Sequence, residues 1–307
     1  MSKFQVRLLL LTYLISSILL LNACNPAQGS SLATITVTST EDTTPTSTPP
    51  TGTQTVPPTS TATITPLPPS PTTTNTATPK LVYNEAGQIV APILLYHHVE
   101  GQEFNNRYTV SIPDFRAQME ALSEMGYTTI SLSLFLEALL EGAELPEKPI
   151  LISFDDGHRS VYENAFPIMK EFHFTGVFYI VANRLGGVEN FVDVKELNEM
   201  MDAGWDVGSH GYSHIDLTLA HDSVAKEIGE SKSRLGNALS TQIITFAYPF
   251  GTIDPFLAQK VNDYGYRAGM GLGTNIIHTW RNLFYLERIE IYGNYSLDEF
   301  TARISAN

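Results

Sequence analysis

Four side chains in two short stretches of this 307-residue chain could do chemistry together. Asp155 and Asp156 close the run Ile150-Leu-Ile-Ser-Phe-Asp-Asp-Gly157, and His210 and His214 stand in Ser209-His-Gly-Tyr-Ser-His214. Successive residues of a strand point in different directions, so two adjacent carboxylates at a strand end cannot share one task. One can bind a metal while the other handles a proton. Gly157 lets the backbone turn sharply and leaves the site open. Asp-Gly is equally a hairpin signal, and taken alone the stretch supports either reading. The two histidines are four apart, a spacing that brings both imidazoles onto one ion if the segment turns helically. A lone His-x3-His pair also fits surface or capping histidines. Joined by a carboxylate from a neighbouring strand end, the pair makes a two-His, one-carboxylate site with open positions, suited to Zn²⁺ or a related divalent metal such as Co²⁺ or Ni²⁺. A metal there would polarise a carbonyl and acidify water. The spare carboxylate would serve as general base.

These groups need strands to carry them. Ile150 to Phe154 is apolar apart from Ser153, as in a strand covered on both faces. From Leu81 onward strand-like and helix-like stretches alternate, which predicts α/β with a mainly parallel sheet. Strands are expected at 91–96, 128–131, 150–154, 175–181, 205–209, 243–248, 266–270 and 286–291. Helices are expected at 111–125, 132–140, 162–171, 194–203, 224–239 and 255–264. Seven or eight strands with helices between them predict a distorted (β/α) barrel rather than an open sheet, with active residues at the carboxyl ends of the strands. A third strand end carries Phe246-Ala-Tyr-Pro-Phe-Gly251.

The combination resembles the polysaccharide deacetylases, carbohydrate esterase family four, with their NodB homology domain. Ser153-Phe-Asp-Asp-Gly157 stands for that family's Thr-Phe-Asp-Asp-Gly motif, Ser209 to His214 for its His-(Ser/Thr)-x-x-His motif, and Phe246 to Gly251 for its Arg-x-Pro-Tyr/Phe motif. Leu94-Leu-Tyr-His-His-Val99 and Leu286-Glu-Arg-Ile289 resemble the members that act on extracellular or wall glycans. The resemblance covers about residues 90 to 291. It implies a distorted barrel that removes N-acetyl groups from GlcNAc-containing polymers, or O-acetyl groups from xylan. By position it makes Asp155 the general base and Asp156, His210 and His214 the metal ligands. It places Tyr248, Pro249 and Phe250 along the substrate groove, with the Phe250 N–H on the oxyanion, a contact worth about 3–4 kcal/mol. Two departures follow. The third motif's arginine, which orients the base, is Ala247 here, and Arg288 is the candidate to replace it. The family's late acid histidine has no clean counterpart; His278 is the nearest candidate and His97 the second. Those departures also motivate a different reading, a catalytically silent glycan-binding module on the same fold. Trp205 and Trp280 are candidates to stack on a sugar, although Trp205 begins a strand and fits the core.

The formal net charge of −14 excludes a nucleic-acid backbone as the main partner. Residues 1–24 read as a bacterial export signal: Lys3 and Arg7, then an apolar run from Leu8 to Leu21, too short for a membrane span. Leu21-Asn22-Ala23-Cys24 resembles a lipobox, which implies acylation of Cys24 and a lipid anchor on the outer face of the cell membrane. The other reading is an ordinary signal peptide. Cys24 is the only cysteine, so no internal disulfide forms. Residues 25–80 are rich in Thr, Ser and Pro and predict a disordered, semi-stiff spacer. The folded domain is expected over 81–307, with the catalytic core at about 148–291.

Overall fold

The computed structural model describes residues 80–102 and 106–305. The expected signal segment, Cys24 and the spacer lie outside the described residues, apart from Lys80. Among the described residues, no helix is long and apolar enough to cross a membrane.

Seven parallel strands form a curled sheet. In chain order they are β1 (Ile93–Tyr96), β2 (Pro149–Phe154), β3 (Val177–Ile180), β4 (Asp206–Ser209), β5 (Thr245–Ala247), β6 (Ala268–Met270) and β7 (Ile289–Glu290). The sheet runs β6-β5-β4-β3-β2-β1-β7, and Thr128–Thr129 pairs with the start of β2 off this path. Before it enters β7, the chain bonds the opposite edge. Leu286 N donates to Gly269 O, Gly271 N to Leu286 O and Gly273 N to Arg288 O. The segment from Leu286 to Glu290 thus touches both β6 and β1, and it brings Arg288 to the ends of β1 and β2.

Strand alternation sorts the core into two faces. Ile150, Ile152 and Phe154 pack in the cluster under the helices, while Leu151 belongs to a second cluster with Ile93, Val177, Tyr179, Ala247 and Met270. Leu151, Ser153 and Asp155 share one phase, so Asp155 faces the same interior as Ser153. Ser153 Oγ donates to Leu94 O at 2.7 Å there. Tyr179 fills the interior against Gly208, where a Cβ would come 2.2 Å from its ring. Only glycine leaves room for that tyrosine.

The helices are α1 (Ile112–Glu124), α2 (Leu132–Leu140), α3 (Phe166–Glu171), α4 (Val194–Asp202), α5 (Ser231–Leu239), α6 (Pro255–Asp263) and α7 (Leu297–Ser305). Ser111 caps α1 by accepting from Asp114 N, as its sequence predicts. The helices expected at 162–171 and 224–239 each begin with a π-helical segment, Val161–Ala165 and Ala225–Glu230. The antiparallel ribbons Leu81–Asn84 with Ala143–Pro146, and Gln88–Val90 with Ile277–Thr279, are additions to the expected set, as is α7.

Candidate active site

The acids and histidines of the site leave the carboxyl ends of strands, while Arg288 comes just before β7. Asp155 and Asp156 follow β2, His97 follows β1, His210 follows β4, and Tyr248 to Gly251 follow β5. A cavity of about 410 Å³ opens there, lined by Asp155, Asp156, His97, His210, His214 and Arg288 among others. Tyr108 and the exposed ring of Phe250 stand at its walls.

One ligand atom each from Asp156, His210 and His214 lies within 4.8 Å of the others. His214 Nε2 is 3.3 Å and His210 Nε2 3.9 Å from Asp156 Oδ1. His210 Nδ1 lies 2.9 Å from the Ala247 carbonyl, which can only accept, so the proton sits on Nδ1 and the Nε2 lone pair faces the cavity. Asp156 Oδ1 is buried and makes no hydrogen bond. A buried carboxylate oxygen without a donor is costly. Two imidazole nitrogens and one carboxylate oxygen converging on one point fit a divalent metal of the zinc type, with positions left for other ligands.

The backbone is bent to make this convergence. Of the six non-glycine residues with positive φ among those described, three are Asp156 (72°), His214 (61°) and Phe250 (60°). Left-handed backbone costs a side-chain-bearing residue on the order of 1 kcal/mol or more, and such residues gather at functional sites. The expected helical turn from His210 to His214 does not form. His210 extends β4, and left-handed His214 folds its ring back to a centroid distance of 4.9 Å from His210.

Asp155 stands beside the three, its Oδ2 3.6 Å from His210 Nε2, and is gripped from the other side. Arg288 NH1 and NH2 donate to its two oxygens at 2.7 and 2.8 Å, and both side chains are fully buried. The guanidinium also donates through Nε to Gly271 O at 3.2 Å and lies 5.3 Å from the Tyr179 ring centre. Burial pushes the Asp155 carboxyl up, but the Arg288 charge, His210 and the Arg288 hydrogen bonds outweigh it and hold it at about 2. Burial opposes the Arg288 charge in turn, and Asp155 more than offsets that, so the guanidinium is raised. The arginine that grips Asp155 thus comes from the segment leading into β7, and not from the third motif, where Ala247 stands. Burial, with His210 adding to it, lowers His214 to about 4, so it is neutral at pH 7 as a metal ligand must be.

Other expectations are redistributed. Of Tyr248, Pro249 and Phe250, only Phe250 lines the cavity; Tyr248 is buried behind it and donates to Phe284 O at 3.0 Å. His278 is a correction. It lies on the ribbon that pairs with Gln88–Val90, its Nε2 3.2 Å from Ala91 O at the amino end of β1, and its ring 5.5 Å from Phe135. It is fully buried away from the cavity. The second candidate, His97, does line the cavity, and its buried Nδ1 has no hydrogen-bond partner. Burial lowers His97, against the pull of Asp155, Asp156 and Glu290. Trp205 is core, stacked 5.5 Å from Phe154, while Trp280 is exposed beside a separate depression that includes Tyr285. The sequence reading missed Glu227, whose buried carboxylate holds the loop between the two histidines. Gly211 inside that loop was the one available hint.

Residues 142–269 match the family model described as polysaccharide deacetylase. Among curated relatives, the poly-beta-1,6-N-acetyl-D-glucosamine N-deacetylase of Staphylococcus aureus (strain MRSA252) is 26% identical over 240 residues, spanning 69% of this chain and 81% of its own. Among solved structures, the Streptococcus pyogenes deacetylase PplD in complex with acetate has a TM-score of 0.63 at 24% identity, covering 74% of this chain and 100% of that one. A polysaccharide deacetylase from Bacillus cereus has the same TM-score, 0.63, at 24% identity, covering 71% of this chain and 70% of the other. The two structural likenesses show the shared fold.

Proposed function

We propose that the chain, whose residues 142–269 match the polysaccharide deacetylase family model, is a hydrolase that deacetylates a GlcNAc-containing polysaccharide outside the cell, with a divalent metal held by Asp156, His210 and His214. The observation that carries this reading is the convergence of those three ligand atoms within 4.8 Å beside a separately held carboxylate. When bound, the ion supplies polarisation of the acetyl oxygen and a more acidic water. The chain's own residues do the rest. Asp155, kept ionised and oriented by Arg288, takes a proton from water at one of its carboxylate oxygens. The N–H of Phe250, re-aimed by its left-handed backbone, donates to the oxygen that becomes negative in the tetrahedral intermediate. His97 donates a proton to the leaving nitrogen. It is neutral at rest and must first take one up, which the carboxylates of Asp155, Asp156 and Glu290 favour. Tyr108 and Phe250 offer ring faces to a sugar.

Export, and acylation of Cys24 with the Thr/Ser/Pro-rich segment as spacer, complete the proposal. They put the catalytic domain where such polymers are found. The silent-module reading rested on Ala247 and on the unmatched acid histidine. Arg288 and His97 answer both points with side chains that line the cavity.

The test is acetate release by the full-length, metal-loaded protein from poly-β-1,6-GlcNAc, chito-oligomers, peptidoglycan and acetylxylan. The name of the S. aureus relative puts poly-β-1,6-GlcNAc first. Release from an N-acetylated polymer is the expected result. Release from acetylxylan alone would make the protein an O-acetyl esterase, and retention on a glycan column without any release would make it a binding module.

A further inference from the structure

The stretch between His210 and His214 is held from two sides. Gly211 O and Tyr212 O accept from Ala182 N and Asn183 N at 3.0 and 2.9 Å. On the other side stands Glu227, in the π-helical segment Ala225–Glu230. One of its oxygens accepts from Tyr212 N and Ser213 N, both at 2.8 Å, and the other accepts from Ser213 Oγ. Its side chain is buried, and among the described residues no salt bridge includes it. The fit is close: a Cβ on Gly211 would come 3.1 Å from Glu227 Oε2.

A buried carboxylate without a cationic partner is an expensive way to hold a loop. Its three donors explain why an acceptor-only group stands there. An amide could accept only through its one oxygen and would reverse the bond to Ser213, whose Oγ would then accept instead of donating. They also fix Ser213, the residue before His214, and with it the left-handed turn that folds the second imidazole toward the first. A single π turn in an otherwise α-helical stretch often marks such a placement.

We propose that Glu227 is the positioning residue of the metal site, setting the geometry of His214 against His210 and thereby the affinity for a divalent cation. This rests on the metal reading above. Groups that orient metal ligands in this way typically change affinity about 10- to 100-fold when removed.

The experiment is a titration of the full-length protein with Co²⁺, followed by its visible absorption, and with Zn²⁺ in competition with a chromophoric chelator. The variants are Glu227→Gln, Glu227→Asp and the surface control Glu171→Gln, whose carboxylate pairs with exposed Arg116. Wild type and Glu171→Gln should bind one ion with the same spectrum. Glu227→Gln should bind about 10- to 100-fold more weakly with an altered Co²⁺ spectrum, and Glu227→Asp should recover part of the loss. If Glu227→Gln fails to fold by circular dichroism, Ser213→Ala carries the test, with a several-fold loss expected. Wild-type affinity and spectrum in Glu227→Gln, or in Ser213→Ala where that variant stands in, overturn the inference while leaving the metal reading intact. A wild-type protein that binds no ion overturns the metal reading, and the inference with it.

Discussion

Arg288 grips Asp155 through two parallel hydrogen bonds of 2.7 and 2.8 Å, with both side chains removed from water. The pair ties an edge strand to the interior of the curled sheet, since Asp155 follows β2 and Arg288 leads into β7, with β1 between the two strands. Removing one partner of such a pair strands the other's charge, a loss of about 3–5 kcal/mol. Arg288→Met should therefore lower unfolding stability by about that much and also reduce deacetylation. Adding Asp155→Asn to it should restore part of the stability. Denaturant unfolding of the two single variants and the double variant measures the coupling. Additive losses would show that the two residues do not depend on each other.

The two candidate acid histidines give opposite expectations. His97 lines the cavity, and His97→Gln should lower kcat by about 10²- to 10⁴-fold. His278 is bonded to Ala91 O at the far end of β1, and His278→Gln should leave kcat near the wild-type value. Steady-state kinetics on one soluble oligomer decides between them. A large kcat loss in His278→Gln with normal His97→Gln would reverse the assignment.

Much of this is legible in the sequence. The run from Ile150 to Phe154 declares a strand buried on both faces, and its continuation in Asp155 and Asp156 puts the carboxylates at a sheet end. The helix cap at Ser111 is a local signal, and it forms. What stayed hidden depends on partners distant in sequence. His278 and Ala91 meet across 187 residues, and nothing near His278 announces the ribbon that buries it. Glu227 looks like an ordinary helix-surface acid until the π turn aims it inward. The helical spacing of His210 and His214 suggested that the two rings meet, but a left-handed residue rather than a helical turn brings them together.

Phe250 should show a trade between stability and activity. Its φ of 60° disfavours any residue but glycine, and its ring is largely exposed, so little burial is lost on truncation. Phe250→Gly should raise stability by about 1 kcal/mol and weaken substrate use through loss of the ring face and a looser N–H. Thermal melts and kcat/KM measured on the same preparation check both halves. A destabilised Phe250→Gly would mean that the ring's contact with His214 outweighs the backbone strain.

Stability of the metal-free protein should fall in acid. Burial holds His278 at about 4, against about 6.5 in the unfolded chain. Between those values the unfolded state binds the extra proton, so stability drops as pH falls through that window, by on the order of 3 kcal/mol for this one group. His214, also at about 4, acts in the same direction. Asp155, lowered to about 2, contributes stability that is complete above its unfolded value near 3.9 and is lost only as pH falls further. Tm measured from pH 7 to 4 should fall in the wild type and fall less steeply in His278→Gln. Parallel curves would contradict the assignment of this slope to His278.

The most direct measurement is acetate release from poly-β-1,6-GlcNAc by the full-length protein, as purified, after chelation, after reloading with Zn²⁺, and as Asp155→Asn. Chelation should abolish release and Zn²⁺ should restore it, while Asp155→Asn should lose about 10²-fold or more with metal still bound. Release at the wild-type rate from the chelated protein or from Asp155→Asn would contradict the account.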